Sequence, residues 1–157
     1  MAGGLNHYTE LLYFIKALAE ADPLVNTITQ GSFNRLDLDK KNIFPLVHVS
    51  IGDAQFSNGS TVSFNVQLGA HAVRDINKEV VSDKFWLQDN EVDNLNEMLA
   101  ILNRLWSKIY TGFTDSDIST TENPTLQQTL DEGTNTLDGW ILSFTVEMPN
   151  TTISLCG

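Results

Sequence analysis

The sequence predicts an α+β fold in which a mostly antiparallel or mixed β-sheet carries two main helices packed on one face. Two observations predict this class. Residues 90–110 place apolar side chains at alternating steps of three and four, the period of an amphipathic helix. Residues 61–72 alternate apolar and polar side chains, the period of a strand with one dry face. A sheet with one apolar face has to be covered, so we expect the helix of 90–110 to pack on it.

The N-terminal segment predicts the first of the two helices. Residues 8–21 have apolar side chains at helical spacing, and Asp22-Pro23 closes the helix because the residue before a proline avoids helical geometry. The β-branched residues within 24–29 suit either a brief strand or an extended link. We therefore expect one helix and a short extended segment before the main part of the sheet.

A β-hairpin is expected next. Residues 44–51 alternate in polarity and predict a strand, with Val47, Val49 and Ile51 on its drier face. Asn58-Gly59 is a dipeptide favoured in tight turns, and the alternating strand at 61–72 follows it. We expect the long helix to pack on the apolar face of this hairpin.

Polar segments flank that long helix. Segment 74–90 fits neither period and carries the pair Phe85-Trp86 among charged residues. Large aromatic side chains in such a segment either form a contact surface or fold back onto the core, and the sequence favours neither. Gly112 is expected to end the helix. The acidic residues 114–123 predict an exposed loop.

The C-terminal part predicts the last strands. Residues 126–130 could pair with a strand inside 137–150, where apolar and polar side chains again alternate. Pro149-Asn150 interrupts that strand, so 149–157 form a possible C-terminal extension. No repeat, low-complexity run or linker divides the chain, and we expect a single domain over 1–157.

Composition excludes several classes of protein. Nine basic residues against twenty acidic ones give a net charge of −11, which disfavours tight binding of nucleic acid. The same negative charge would let DNA pass along the protein without being bound, although the simpler explanation of the charge is that it keeps the protein in solution. Cys156 is the only cysteine, so a disulfide-stapled scaffold is excluded. No apolar run long enough to cross a bilayer and no signal sequence are present, so we expect a protein made in a cytoplasm without membrane contact.

No catalytic signature is present. The sequence has no GxSxG elbow, glycine-rich phosphate loop or HExxH helix. His7, His48 and His71 form no short-spaced ligand pair; His48 and His71 could meet on adjacent strands, but surface histidines are the favoured interpretation. Asp115 and Asp117 lie in a polar stretch where solvated charge is expected. We therefore expect a non-enzyme with no catalytic residue, no metal and no cofactor.

The order of these elements resembles that of a known family. A helix and connector precede the hairpin FPLVHVSI … STVSFNVQLGA, the segment INKEVVSDKFWLQDNEVDNLNEMLAILNRLW and the final strand LDGWILSFTVEMPN. This layout resembles the tail terminator or tail completion proteins of long-tailed bacteriophages, over residues 8–152 and most strongly over 75–106 and 137–150. The family fold is a mixed or antiparallel sheet with helices on one face.

The resemblance implies a structural virion protein. Such a protein forms a homohexameric ring on the head-proximal end of the tail tube, stops tube polymerisation and joins the tail to the head-tail connector protein. Its location would be the tail or neck of the virion, after assembly in the host cytoplasm. Its partners would be further copies of itself, the tail tube protein and the connector protein, with genomic DNA only passing through the lumen.

Candidate residues follow from this resemblance. Segment 74–90 is the candidate for one side of the subunit or tube interface, and the loop 114–123 is the candidate lumen lining. A head completion or connector-adapter protein of the neck is the nearest alternative, and a small-molecule-binding α+β domain is the alternative from another class. The interface candidates are Arg74, Phe85 and Trp86, and the lumen-facing acidic candidates are Asp115, Asp117 and Glu122.

Overall fold

The structure is a computed structural model that describes residues 7–31, 44–57, 60–73, 91–113, 118–121, 123–132 and 137–149. Within these residues the chain forms two helices and six strands, and the predicted α+β class is confirmed. In chain order the elements are α1 (His7–Glu20), β1 (Thr27–Gln30), β2 (Leu46–Ser57), β3 (Thr61–Val73), α2 (Glu91–Phe113), β4 (Ser119–Thr120), β5 (Thr125–Glu132) and β6 (Leu137–Pro149).

The six strands form one mixed sheet. Its order is β1-β2-β3-β6, with β4 and β5 both pairing with the outer side of β6. Only the β1–β2 pair is parallel among the described strands, and the other pairs are antiparallel. The predicted pairing of 126–130 with the last strand is confirmed. The predicted loop at 114–123 is wrong at Ser119–Thr120, where two residues form β4 because Thr121 exchanges backbone and side-chain hydrogen bonds with Thr145.

Both helices pack on the same face of the sheet. The sequence predicts that the long helix covers the hairpin, but α2 lies over β3 and β6, while α1 lies over β1 and β2. The reason is that β6 pairs along the whole length of β3 and so continues the apolar face. Burial of each large core side chain stabilises the fold by about 1.5–3 kcal/mol. The helical contribution to this core is Leu11, Ile15, Ala19, Met98, Ile101, Leu102, Leu105, Ile109 and Phe113.

Gly112 does not end α2, which continues to Phe113. A Cβ atom at Gly112 would lie 3.0 Å from the ring of Phe14 on α1. The rings of Phe14 and Phe113 are also in contact, with centroids 4.8 Å apart. The glycine therefore permits the close approach of α1 to the end of α2, and its role is in helix packing.

A buried ion pair joins the two helices. Asp22 follows α1 with a fully buried carboxylate, which accepts hydrogen bonds from Arg104 of α2 at 2.8 and 3.0 Å. It also accepts the backbone N–H of Leu24 at 3.0 Å, which caps the turn after the helix. The hydrogen bonds from Arg104 hold the pKa of Asp22 below its usual value of 3.8, against the opposing effect of burial. The pair fixes the position of α1 relative to α2.

Two histidines are buried on the other face of the sheet, so the prediction of surface histidines is wrong for His48 and His71. The His48 Nε2–H donates to the carbonyl of Gly31 at 2.9 Å, and Nδ1 therefore accepts the hydroxyl of Thr29 at 2.7 Å. This arrangement ties β1 to β2. His71 is 2% exposed, and burial together with the nearby His48 lowers its pKa to about 4.

Candidate functional site

All six residues predicted to carry function lie outside the described part of the chain. The structure therefore tests neither the interface role of segment 74–90 nor the lumen role of the acidic loop, and both stay predictions. The residues concerned are Arg74, Phe85, Trp86, Asp115, Asp117 and Glu122. What the structure does define is three surfaces on the sheet and on α2.

The first surface is the tip of the β2–β3 hairpin, residues 54–57 and 60–62. A bulge precedes it, because Ile51 pairs with Val66 whereas Ala54 pairs with Phe64, so β2 has one residue more than β3 over this stretch. The bulge turns Phe56, instead of the polar Gln55, to the face that carries the helices. Without the bulge the tip would present polar side chains on that face.

Phe56 is nevertheless in solvent. It is 73% exposed, the highest value among the large hydrophobic side chains of the described residues. Its partner across the hairpin, Val62, is buried, and Tyr8 of α1 packs edge-on against Phe64 with ring centroids 6.3 Å apart. On β2 the cover therefore ends before Phe56, and the tip carries an unburied aromatic ring beside the buried Val62.

The second surface is a groove between α2 and β5, with a volume of about 390 Å³. Leu102 and Leu142 belong both to its lining and to the buried core. The rest of its apolar lining is Leu99, Ala100, Trp106, Pro124 and Leu126. None of the nine described residues that line it is charged. We refer to it as the α2–β5 groove.

The groove exists because the helical layer is narrower than the sheet. α2 covers β3 and β6, and β5 lies one strand further out. Leu126 of β5 pairs with the buried Leu142, so its side chain is on the helical side, yet it is 45% exposed. Trp106 stands beside it on α2, held by a ring contact with Phe144 at 5.2 Å. Among the described residues, neither helix covers β5.

The third surface is the face of the sheet that carries no helix. Its open part is a depression of about 490 Å³ lined mainly by amide and hydroxyl side chains, including Asn65, Gln67, Ser143 and Thr145. The hydroxyl of Thr145 donates to Asn65 Oδ1 at 3.1 Å across β3 and β6. We refer to it as the polar face.

The described residues of the polar face include no cation. The six strands contain no lysine or arginine, and the basic residues within the described part of the chain, Lys16, Arg104 and Lys108, are all on helices. Neutralisation of phosphates relies on such cations, and the described strands supply none.

The structure defines no further reactive cluster within its described residues. No group of three or more histidine, cysteine, aspartate or glutamate side chains is placed there to hold a metal ion. Neither described helix has the length and apolarity needed to cross a bilayer.

Comparison with known proteins finds no match to this chain, either among models of protein families or among curated proteins.

Sequence reasoning missed the hairpin tip and the groove. The signal at the tip is the aromatic Phe56 two residues before Asn58-Gly59, but Gly52-Asp53 breaks the alternation and hides the continuation of the strand. The signal at the groove is a second apolar line on α2 that includes Leu99 and Trp106, which the sequence does not distinguish from the core-facing stripe.

Proposed function

We propose that this chain is a structural, non-catalytic virion protein that forms a homohexameric ring on the head-proximal end of a phage tail tube. In this role it stops tube polymerisation and joins the tail to the head-tail connector. The observation that carries the proposal is the layout of the fold: one mixed sheet, with α1 and α2 on a single face, in the element order of the tail terminator proteins that the sequence resembles.

Charge supports the part of the proposal that concerns DNA. A conduit for a genome must not retain phosphates, and neither the strands nor the net charge of −11 offers a cationic surface along the sheet. In the proposed ring the acidic loop with Asp115, Asp117 and Glu122 faces the lumen, where it repels the passing DNA.

The uncharged surfaces support the part that concerns assembly. Copies of a chain with charge −11 repel one another, so they associate best where their surfaces are neutral. The hairpin tip and the α2–β5 groove are both neutral and partly apolar. In the proposed ring Arg74, Phe85 and Trp86 add contacts to the neighbouring subunit or to the tube.

The proposal is tested by tube assembly. Purified chain is added to polymerising tail tube protein, and tube length is measured by electron microscopy. We expect shorter tubes whose ends carry a six-fold ring, because the ring occupies the growing end. Tubes of unchanged length with bare ends, at a concentration of the chain above that of the tube ends, would contradict the proposal.

A head completion or connector-adapter protein is the closest alternative, because neck proteins share similar α+β layouts. It differs in partner and symmetry: it would bind the connector in the absence of tubes and follow the connector's twelve-fold symmetry. Pull-down with purified connector and purified tubes, each alone, separates the two roles.

The groove favours one alternative from another class, a small-molecule-binding domain. Its volume of about 390 Å³ lies within the roughly 300–1,000 Å³ of ligand pockets. Under that alternative the chain stays a monomer and a ligand raises its melting temperature. A thermal-shift screen of apolar metabolites against the one-chain species tests it.

A further inference from the structure

We propose that the hairpin tip of one copy inserts Phe56 into the α2–β5 groove of the next copy, and that this contact repeats around the assembly. The inference rests on the proposed ring and assigns the two surfaces that close it. The occupant of the groove is thus a second copy of this chain.

The two surfaces cannot meet within one copy. Phe56 of β2 pairs with Val62 of β3, which pairs in turn with Met148 near the end of β6. Leu126 of β5 pairs with Leu142 of β6. These two levels are six residues apart on β6, or roughly 20 Å, and β2 and β5 are separated by three strand spacings, or roughly 14 Å. The tip and the groove are therefore on the order of 25 Å apart, and only another copy can bring them together.

The two surfaces are complementary in shape. Phe56 is a single ring that projects on a two-stranded tip, 73% exposed, and the groove is a concave apolar site. A cavity of roughly 150 Å³ is large enough to hold a benzene ring, so about 390 Å³ accommodates the phenyl group and part of the tip backbone. Insertion would bury the exposed faces of Leu126 and Trp106 together with the ring.

The two surfaces are also compatible in charge. Residues 54–62 contain no charged side chain, and neither does the lining of the groove. Neutral surfaces with aromatic side chains are typical of interface centres, from which charged residues are depleted. Tyr13, the next most exposed aromatic at 62%, lies on α1 between Glu10 and Lys16 and lacks this neutral setting.

Because the tip and the groove are different patches, the contact is heterologous. Repetition of such a contact gives a ring when the rotation closes and a filament when it does not. A symmetric two-fold dimer would instead pair a patch with itself. The proposed contact therefore predicts that Phe56 of one copy lies next to Leu126 of the neighbouring copy.

The test is cross-linking of two single-cysteine chains, both carrying Cys156→Ser to remove the one native thiol. Ser57→Cys chains, which carry the new thiol next to an intact Phe56, are mixed with Leu126→Cys chains under mild oxidation, and each variant is also oxidised alone. We expect a disulfide between unlike chains in the mixture and little product from either variant alone. Tyr13→Cys mixed with Leu126→Cys is the matched control, in which random collisions set the background.

A second measurement uses solution mass. Phe56→Asp is expected to weaken association by at least roughly 30-fold, the loss typical of removing a buried aromatic anchor, and to leave species of one-chain mass. Tyr13→Asp adds the same charge to an exposed aromatic position and is expected to retain the assembly. Circular dichroism of both variants verifies that they are folded.

The outcomes separate this inference from the proposed function. A mixed disulfide at background level, or one between two Ser57→Cys chains, overturns the tip-in-groove contact. If the wild type still forms six-chain rings, the proposed function survives that result. A mixed disulfide well above background supports the contact even if the protein fails to cap tubes, in which case only the proposed function is lost.

Discussion

Replacement of Arg104 by methionine removes the partner of a buried carboxylate while keeping most of the aliphatic stem. The side chain of Asp22 is fully buried and would lose two of its three hydrogen-bond donors, keeping only the N–H of Leu24. Loss of one member of a buried pair costs about 3–5 kcal/mol. The side chain of Arg104 is 38% exposed, so solvent screens the pair and we expect a smaller loss of about 2–3 kcal/mol.

Urea denaturation followed by circular dichroism measures this loss as a fall in the midpoint at constant slope. The double mutant Asp22→Asn/Arg104→Met is expected to recover about 1–2 kcal/mol relative to Arg104→Met alone, because no buried charge is then left unpaired. Lys16→Met is the matched control: its pair with Glu20 at 3.4 Å is half exposed on both sides, and its loss should stay within about 0.5 kcal/mol.

The pair also has a defined pH dependence. Since the folded state lowers the pKa of Asp22, its contribution is fully present above the usual value of 3.8 and is lost as the pH falls through the lower folded pKa. The difference between wild type and Arg104→Met should therefore be constant near neutral pH and shrink in strong acid. A loss below about 0.5 kcal/mol at neutral pH would refute the reasoning, because it would place the pair among ordinary surface ion pairs.

Two further predictions concern the sheet. The pKa of His71 is lowered from 6.5 to about 4, so below pH 6.5 the unfolded chain binds a proton that the folded chain does not. The free energy of unfolding, measured by urea denaturation, should therefore fall by up to about 3 kcal/mol between pH 6.5 and 4. His71→Gln should remove most of this dependence on pH. Gly139→Ala should cost about 3 kcal/mol or more or prevent folding, since its Cβ would overlap the carbonyl oxygen of Ala70, whereas Gly52→Ala has ordinary space and should change the urea midpoint little; equal midpoints for the two variants would contradict this.

Periodicity predicted the regular helices and strands of this fold because the residues of each buried face recur at a fixed spacing within one segment. The alternation of β3 and β6 marks residues that the structure buries in one core, and the predicted stripe of α2 does so in part. Leu102 and Ile109 of that stripe are buried, whereas Val92 is 47% exposed. The short β1 and the strand β5 were also predictable, since β-branched residues mark the first and turn-favouring residues in the sequence follow the second.

Other features depend on neighbours that a single segment does not reveal. The bulge at Gly52-Asp53 shifts the alternation by one residue, so the end of β2 and the position of Phe56 follow only from its register with β3. His48 and His71 alternate like surface residues, and their burial depends on neighbours distant in the sequence, such as Thr29 and Gly31 beside His48 and Thr129 beside His71. Glycine is common at helix ends, but Gly112 lies within α2, where the nearby ring of Phe14 leaves little room for a side chain.

The candidate surfaces were predictable only in part. Net charge and the absence of a catalytic motif predicted a non-enzyme that does not bind nucleic acid tightly, whereas the predicted structural role rests on the family resemblance. The groove, in contrast, arises because two helices cover four strands and leave β5 outside, a property of layer widths that no local pattern contains.

The central claim is assembly into a six-membered ring, and the solution mass of the purified chain tests it most directly. Light scattering at low and moderate salt, with and without purified tail tubes, gives that mass. We expect a species of six times the 17.4 kDa of one chain, free or bound to the tube ends, favoured by salt because salt screens the repulsion between acidic subunits. A single-chain mass under every condition, with no binding to tubes, would contradict the claim.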